Sequence, residues 1–353
     1  MSIKQYNDAG TFSTTLSAQP TANRTITVPD VSGTLAMGES IGRRNYLING
    51  NFDKWDYATT QTTTGYGSDN RWVNSNGGST KTHSQVACGD IEKALFNATY
   101  FSRTVVSSVA GASNSISKWQ NIENINLLAG KTVTLSFWAK ADTNKNIAIE
   151  FYQNFGTGGS PSSQLNGISS QLVALTTTWQ KKTITVTLPS IVGKTLGTDG
   201  VQNTANGVDF MFDAGSNFNS RTANLGQQSG TFDIAQVKIE DGSVATAGWH
   251  PYDGEFGGEV QACERYYEVI TTSFITSYAG NGGNLGGKVQ FTSKKRIAPT
   301  LTLVTDAALH SNVNVGIDYQ MSLDIAGFVE YRTMQASSGV MQFSSRFTAS
   351  AEL

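Results

Sequence analysis

Alternation between apolar and polar residues is the dominant pattern along this chain. In TVTLSFWAK (132–140), Leu135, Phe137 and Ala139 share one parity, and Thr134, Ser136, Trp138 and Lys140 share the other. Successive side chains of a strand point to opposite faces, so one face here is apolar and must meet a core. After the turn DTNKN, the run IAIEFYQ sets Ile147, Ile149 and Phe151 against Ala148, Glu150 and Tyr152. KTITVTLP (182–189) sets Ile184, Val186 and Leu188 against threonines, and GVDFMFDAG (207–215) sets Val208, Phe210 and Phe212 against Asp209, Met211 and Asp213. Short alternating strands separated by Gly, Asn and Ser turns predict an all-β chain built on a β-sandwich of jelly-roll type. One helix is expected, a short connector in FGGEVQACERYYEV, where Val260, Cys263, Tyr266 and Tyr267 approach helical spacing.

Three regions follow from this pattern. Residues 1–44 hold Thr-rich runs broken by Pro20, Pro29 and Gly33; strands this small bury no core alone, so an extended segment folding against other copies or a larger assembly is expected. Residues 45–255 carry the sandwich. Residues 256–353 combine the connector with GGKVQF, TLTLVT, YQMSLDIAGFVEYRT and GVMQFSSRFTASAEL, which predict a smaller β domain with YAGNGGNLGG (278–287) as an exposed loop. Within NYLINGNFDKWDYA (45–58), Leu47 and Ile48 are expected to enter the first sandwich strand, Asn49 and Gly50 to turn, and Phe52 to return to the core. Trp55 and Tyr57 then fall along the strand's outer edge.

Composition narrows the partners. The 353 residues suffice for two or three domains, and 25 basic against 27 acidic residues give a net charge of -2, which favours neither nucleic acid nor an anionic membrane. The opening MSIKQYNDAGTF lacks the basic and apolar regions of a secretory signal, and no apolar run approaches the roughly 18 residues that span a bilayer. A soluble chain without membrane insertion is therefore expected. Cys88 and Cys263, with neutral neighbours, read as buried small apolar residues rather than a disulfide or zinc pair.

Catalytic motifs are scarce. AGKT and VGKT lack the glycine that a phosphate loop needs five positions earlier, where Ile125 and Leu188 stand, and read as turns before strands. His83, His250 and His310 are isolated in sequence. Glu150, Asp209 and Asp213 fall on polar parities that one sheet face could share, the minimum for glycoside hydrolysis, although solvated or ligand-binding carboxylates are the plainer reading. A hairpin turning near Asn144 would pair Trp138 with Glu150 and Ser136 with Tyr152, joining two rings, a carboxylate and hydroxyls on one face. Such a face suits a pyranose, whose C–H side stacks on a ring while its hydroxyls take directed hydrogen bonds; burial under a loop or another subunit is the competing reading.

PTANRTITVPDVSGTLA (20–36), NYLINGNFDKW (45–55), SDNRW (68–72), KWQNIENINLLAGKTVTLSFWAKAD (118–142) and FDIAQVKIEDGSVATAGWHPYDGEFGGEVQACERYYEV (232–269) resemble stretches of tail-fibre and receptor-binding proteins of tailed bacteriophages. The middle stretches resemble a jelly-roll module similar to carbohydrate-binding modules, and the closing FTASAEL resembles the end of such fibres. The resemblance implies a non-enzymatic component of the virion tail, assembled in the host cytoplasm as a homotrimer. It implies attachment to other tail or baseplate proteins through the N-terminal segment, and distal binding of host surface polysaccharide. Trp138, Glu150 and Tyr152 on the jelly roll, and Asn281 and Asn284 at the tip, are then the expected carbohydrate contacts. No cofactor is required. Related jelly rolls often hold a structural calcium, whose acidic positions match Asp53 and Asp233 here, although Glu is usual at the first and Ile234 replaces a second acid beside Asp233. A purely structural tail component (shaft, adaptor or baseplate part) and a glycan-degrading tailspike-type enzyme are the alternatives.

Overall fold

The computed structural model describes residues 3–6, 13–16, 45–96, 98–252, 256–279, 284–311, 313, 319–321, 323–333 and 338–353. The chain divides into two compact units, 1–37 and 38–353. In the first, β1 (Ile3–Tyr6) pairs antiparallel with β2 (Ser13–Leu16), Ile3 lying opposite Leu16.

The second unit contains a sandwich. Its strands begin with β3 (Thr60–Gln61), β4 (Val73–Gly77) and β5 (Thr80–Ala87), followed by helix α1 (Asp90–Phe96). Then come β6 (Tyr100–Ser107), β7 (Ser115–Glu123), β8 (Thr132–Ala141), β9 (Lys145–Asn154), β10 (Leu165–Leu175) and β11 (Gln180–Thr187). β12 (Ala205–Ala214), helix α2 (Asn219–Thr222) and β13 (Gly230–Asp241) complete it. One sheet has the order β10-β9-β12-β7-β4 and the other β11-β8-β13-β6-β5-β3. Their inner faces meet in one core containing Leu135, Phe137, Ile149, Phe151, Ile184, Phe210, Phe232 and Ile239. The alternating parities of all four runs are therefore realised, and the jelly-roll β-sandwich is the fold.

The expected β8–β9 hairpin does not form. β8 lies in the six-stranded sheet and β9 in the five-stranded one, so Trp138 and Glu150 are not cross-strand neighbours. Two adjacent strands with wholly apolar inner faces bury both by facing each other across the core, where Phe137 meets Phe210 of the opposite sheet edge-on at 5.1 Å. The crossing is held at Asp142, which donates its amide to Thr231 O (3.0 Å) and accepts from Thr231 N (2.9 Å).

Residues 45–51 also depart from expectation, running into a turn at 48–51 instead of a strand. Leu47 and Phe52 do reach the core, and between the two backbone bonds to β13, Tyr46 N to Ile239 O (2.9 Å) and Val237 N to Gly50 O (2.8 Å), side-chain amides take the place of a ladder. Asn45 Oδ1 accepts from Leu47 N (3.0 Å) and Ile239 N (3.2 Å), and Gln120 bonds both Ile48 N and Ile48 O at 2.8 Å. Asn49 Nδ2 donates to Lys54 O (2.8 Å) and Asn70 O (3.0 Å). Trp55 packs on the core and stacks on His83 at 5.5 Å, so it lines no outer edge.

Beside this turn the sandwich interior is polar. Lys118 Nζ donates to Asp69 Oδ2 (2.5 Å) and Asn74 Oδ1 (2.8 Å), and His83 Nε2 lies 3.1 Å from Asp69 Oδ1, all of them buried. Burial opposes the Asp69 charge, but Lys118 and His83 outweigh it and hold the carboxyl well below its usual range. Burial and then Lys118 push His83 down to about 4, against Asp69, so its ring is neutral. One histidine that stood isolated in sequence is thus a sealed structural group.

The C-terminal residues form α3 (Phe256–Tyr266), β14 (Tyr267–Ala279), β15 (Asn284–Gln290), β16 (Thr300–Ser311), β17 (Tyr319–Met321), β18 (Gly327–Thr333) and β19 (Ser338–Ser350). Two three-stranded sheets, β14-β19-β16 and β15-β18-β17, enclose Phe291, Phe328 and Phe347. Asn284, expected in a loop, begins a strand. The helix forms as expected, with Cys263 and Tyr266 packed on Ile48, but Val260 faces solvent and Tyr267 already belongs to β14. Cys88 and Cys263 are free and buried. Tyr57 stacks on Tyr267 at 3.5 Å, and Arg71 lies 3.5 Å over Tyr266 while pairing with Glu352. These contacts fasten the C-terminal sheets to the sandwich.

Asp69→Ala leaves Lys118 buried without its counter-charge, and a loss of about 3–5 kcal/mol is expected; denaturant unfolding of the full chain measures it.

Candidate functional site

The carbohydrate contacts expected on one hairpin face are divided between the two outer surfaces of the sandwich. Trp138 stands on the six-stranded sheet between Lys181 and Ala235, whereas Glu150 and Tyr152 stand on the five-stranded sheet opposite Asp209 and Gly207. The apolar core separates them. Asn281 lies outside the described residues. Asn284 is exposed, and its Oδ1 accepts from Thr333 Oγ1 at 3.3 Å.

On the five-stranded face, Tyr152 and Glu150 shape a site more than they present themselves to one. The Tyr152 ring lies over Gly207, where a Cβ would come within 1.9 Å of its Cζ, so only glycine admits it. Its hydroxyl donates to Asn121 Oδ1 (2.7 Å), and the residue is only 6% exposed. Glu150 is fully buried: Gly167 N donates to its Oε2 (2.6 Å), and Arg221 Nε donates to Oε1 (2.8 Å). These bonds hold Arg221 over the sheet. Ala148, Met211 and Ala214 on the same face are covered by Phe218 and Leu225. The end left open is a cavity of about 200 Å³ lined by Trp119, Asn121, Tyr152, Asn154, Gln164, Asp209 and Arg221. Trp119, half-buried and edge-on to Tyr152 at 6.3 Å, supplies the open ring.

Trp119 and Arg221 were missed in the sequence reading. SISKWQNIE hides its alternation because Lys118 and Gln120 share the inward parity of Ile116 and Ile122. The outward parity of Trp119 was the available signal. Arg221 comes from the four-residue helix α2, where no strand pattern applies.

Two carboxylates directly opposite on a sheet repel, and one arginine serves both. Arg221 Nη2 pairs with Glu150 and lies 3.7 Å from Asp209 Oδ2. Burial first, and the Glu150 charge second, push Asp209 up to about 8, against Arg221 and Ser117. At neutral pH Asp209 therefore carries a proton and can donate to a ligand oxygen; its buried Oδ1 has no hydrogen-bond partner. Asp213 does not join it, because Ser79 Oγ (2.6 Å), Ser108 Oγ (2.8 Å) and Gln228 N (2.8 Å) all donate to its carboxylate. Asp209 is the single carboxyl lining this cavity, so the acid and base pair of a glycosidase is not assembled in it.

The residues expected to hold calcium do not fit an ion. Asp233 accepts from Arg103 Nε (2.7 Å) and Nη2 (2.8 Å), with Lys140 Nζ at 3.8 Å, and a cation there would have to displace them. Asp53 is exposed and accepts from Asn51 Nδ2 (2.7 Å). Among the described residues no group of three or more His, Cys, Asp or Glu side chains is placed to hold a metal.

Two outcomes are expected. Chelation with EDTA leaves the melting temperature unchanged in calorimetry. Asp209 has a folded value of about 8 against an ordinary 3.8, so the folded chain binds its proton more tightly and this contribution to stability falls as pH rises between them. Asp209→Asn removes that slope, and its melting temperature relative to the parent rises across the same window.

No family model matches the chain, and no curated protein matches it. Several solved structures do. A family 11 carbohydrate-binding module from Clostridium thermocellum, in complex with a β-1,3-1,4-mixed-linked tetrasaccharide, is 11% identical with a TM-score of 0.32, covering 53% of this chain and 98% of that one. The N-terminal cellulose-binding domain of Cellulomonas fimi β-1,4-glucanase C is 17% identical with a TM-score of 0.30, covering 53% and 97%. The enzymatically active domain of bacteriophage CBA120 tailspike protein 4 is 13% identical with a TM-score of 0.30, covering 56% of this chain and 21% of that one. At such identities and scores these likenesses carry no argument about ligand or activity.

Proposed function

We propose that this protein is a non-enzymatic receptor-binding component of a bacteriophage tail that recognises polysaccharide on the host cell surface. The observation that carries the recognition reading is the open end of the five-stranded face. There the Trp119 ring stands beside the Arg221 guanidinium, the protonated Asp209 carboxyl and the amides of Asn154 and Gln164. An apolar plate surrounded by donors and acceptors of both kinds is complementary to a sugar ring with its hydroxyls.

The tail setting rests on the resemblance of residues 20–36, 45–55, 68–72, 118–142 and 232–269 to tail-fibre proteins. In this reading the N-terminal segment attaches the protein to other tail or baseplate proteins, and three chains assemble into a fibre. Three weak sites on one fibre raise avidity without any new contact.

Surface polysaccharides purified from a panel of bacterial hosts, immobilised and probed with the full chain, test the reading. At least one is expected to bind, and Trp119→Ala is expected to weaken that binding about tenfold, the equivalent of roughly 1.4 kcal/mol of stacking and area. No release of oligosaccharides is expected on incubation. Absence of binding across the panel by the assembled protein would favour the purely structural tail role.

A further inference from the structure

The opposite face of the sandwich carries its own cavity, of about 550 Å³, between α1, the middle of β13 and residues 248–251. Its construction starts from the Asn49–Gly50 turn. Gly50 O accepts from Val237 N at 2.8 Å, and a Cβ on Gly50 would lie 2.0 Å from Val237 O and 2.9 Å from Trp249 Cη2. Only a glycine lets the turn press against β13 and seat the Trp249 ring upon it. Gln236, at φ 49°, bulges β13 at this point, and Trp138 stands on the neighbouring strand with Phe96 of α1 at 5.9 Å.

Two residues of the lining each carry a buried polar atom without a partner. Asn51 is 4% exposed; its Nδ2 donates to Asp53, but its Oδ1 accepts from nothing, and the buried Nε1 of Trp249 donates to nothing. Three other tryptophans behave differently. Trp55 Nε1 donates to Phe52 O (2.6 Å), Trp72 Nε1 to Asn49 O (3.0 Å) and Trp179 Nε1 to Glu92 Oε1 (2.9 Å). Buried donors and acceptors are costly to leave unpaired, so an unpaired one of each kind on two residues that line one cavity points to a ligand that supplies both.

We propose that Trp138, Trp249, Asn51 and Asp53 form a second ligand site, specific for a neutral hexopyranose. The two indoles offer apolar surface for the C–H side of the ring. Asn51 Oδ1 and the Asp53 carboxylate accept from its hydroxyls, and Trp249 Nε1 donates to one of its oxygens. Among the described residues Asp53 is the only carboxylate in the lining, and the one lining cation, Lys181, donates to Thr246 O at 3.4 Å. One charge of each sign leaves the lining without net charge, which matches a neutral sugar better than an acidic one. The volume lies within the range of about 300–1,000 Å³ usual for small-ligand sites. This site is separate from the five-stranded face and does not rest on the function proposed for it.

The test uses the full chain labelled with 5-fluorotryptophan, whose six indoles are assigned by single Trp→Phe variants and followed by fluorine NMR. The probes are the methyl glycosides of glucose, galactose and mannose, with methyl glucuronide as the acidic comparison. At least one neutral glycoside is expected to move the Trp138 and Trp249 signals together and saturably, in the parent and equally in Trp119→Ala, while the glucuronide moves neither. Asn51→Ala, and Trp249→Phe with Trp138 as reporter, are each expected to weaken the response about tenfold; the Phe variant keeps the ring and guards against a folding defect. Unmoved Trp138 and Trp249 signals at the highest concentration of all three neutral glycosides, loss of the response in Trp119→Ala, or equal binding of the glucuronide would overturn the proposal. A shift at Trp119 alone would sink this site and leave the five-stranded face intact, and the reverse pattern would do the opposite.

Discussion

Satisfaction of backbone polar groups by buried amide side chains is the constraint on which this architecture depends. Residues 45–51 form no strand; Tyr46 N and Gly50 O bond the backbone of β13 at Ile239 and Val237, and groups between them need side-chain partners. Asn45 serves Leu47 N and Gln120 serves both Ile48 N and Ile48 O, while the Asn49 side chain ties the segment to Lys54 O and Asn70 O. The consequences spread from there: Gly50 is pressed against β13, Trp72 is anchored on Asn49 O, and Glu259 of α3 accepts from Asn49 N at 2.8 Å. The turn thereby connects the core, the six-stranded face and the helix leading into the C-terminal sheets. Burial, opposed by the Asn49 amide, pushes Glu259 up to about 7.

The interior is correspondingly mixed. One end is a conventional apolar core around Phe137, Phe151 and Phe210; the other holds Asp69, Lys118 and His83 without access to solvent. Charges buried this deeply persist only because each finds a partner at hydrogen-bond distance. The five-stranded outer face solves a related problem differently. Glu150 and Asp209 are cross-strand neighbours with one arginine between them, so Glu150 takes the ion pair and Asp209 keeps a proton. A single substitution at Arg221 would disturb both.

Legibility from sequence followed the locality of the signal. Period-two alternation assigned the inward and outward residues of β8, β9, β11 and β12, because parity depends only on neighbours along one strand. The same alternation gave no information on which strand lies beside which, and the pairing of Trp138 with Glu150 failed for that reason. Buried polar positions hid β7, where Lys118 and Gln120 occupy core parity. Trp119 went unnoticed in consequence. Asp53 and Asp233 are ion-ligand positions only by resemblance to related jelly rolls, and Arg103, 130 positions from Asp233, occupies the latter's carboxylate.

The sequence by itself determined that this is an all-β chain, which residues of β8, β9, β11 and β12 face the core, that a short helix precedes the C-terminal strands, and that both cysteines are buried apolar groups. These are properties of local spacing and side-chain chemistry. Only the tertiary structure decided that the rings and carboxylates divide between two opposite faces, that Tyr152 covers a glycine while Trp119 stays open, and that NYLING is a turn held by amides. Those outcomes depend on contacts between residues far apart in the chain, where packing and desolvation choose among partners that spacing alone leaves equivalent.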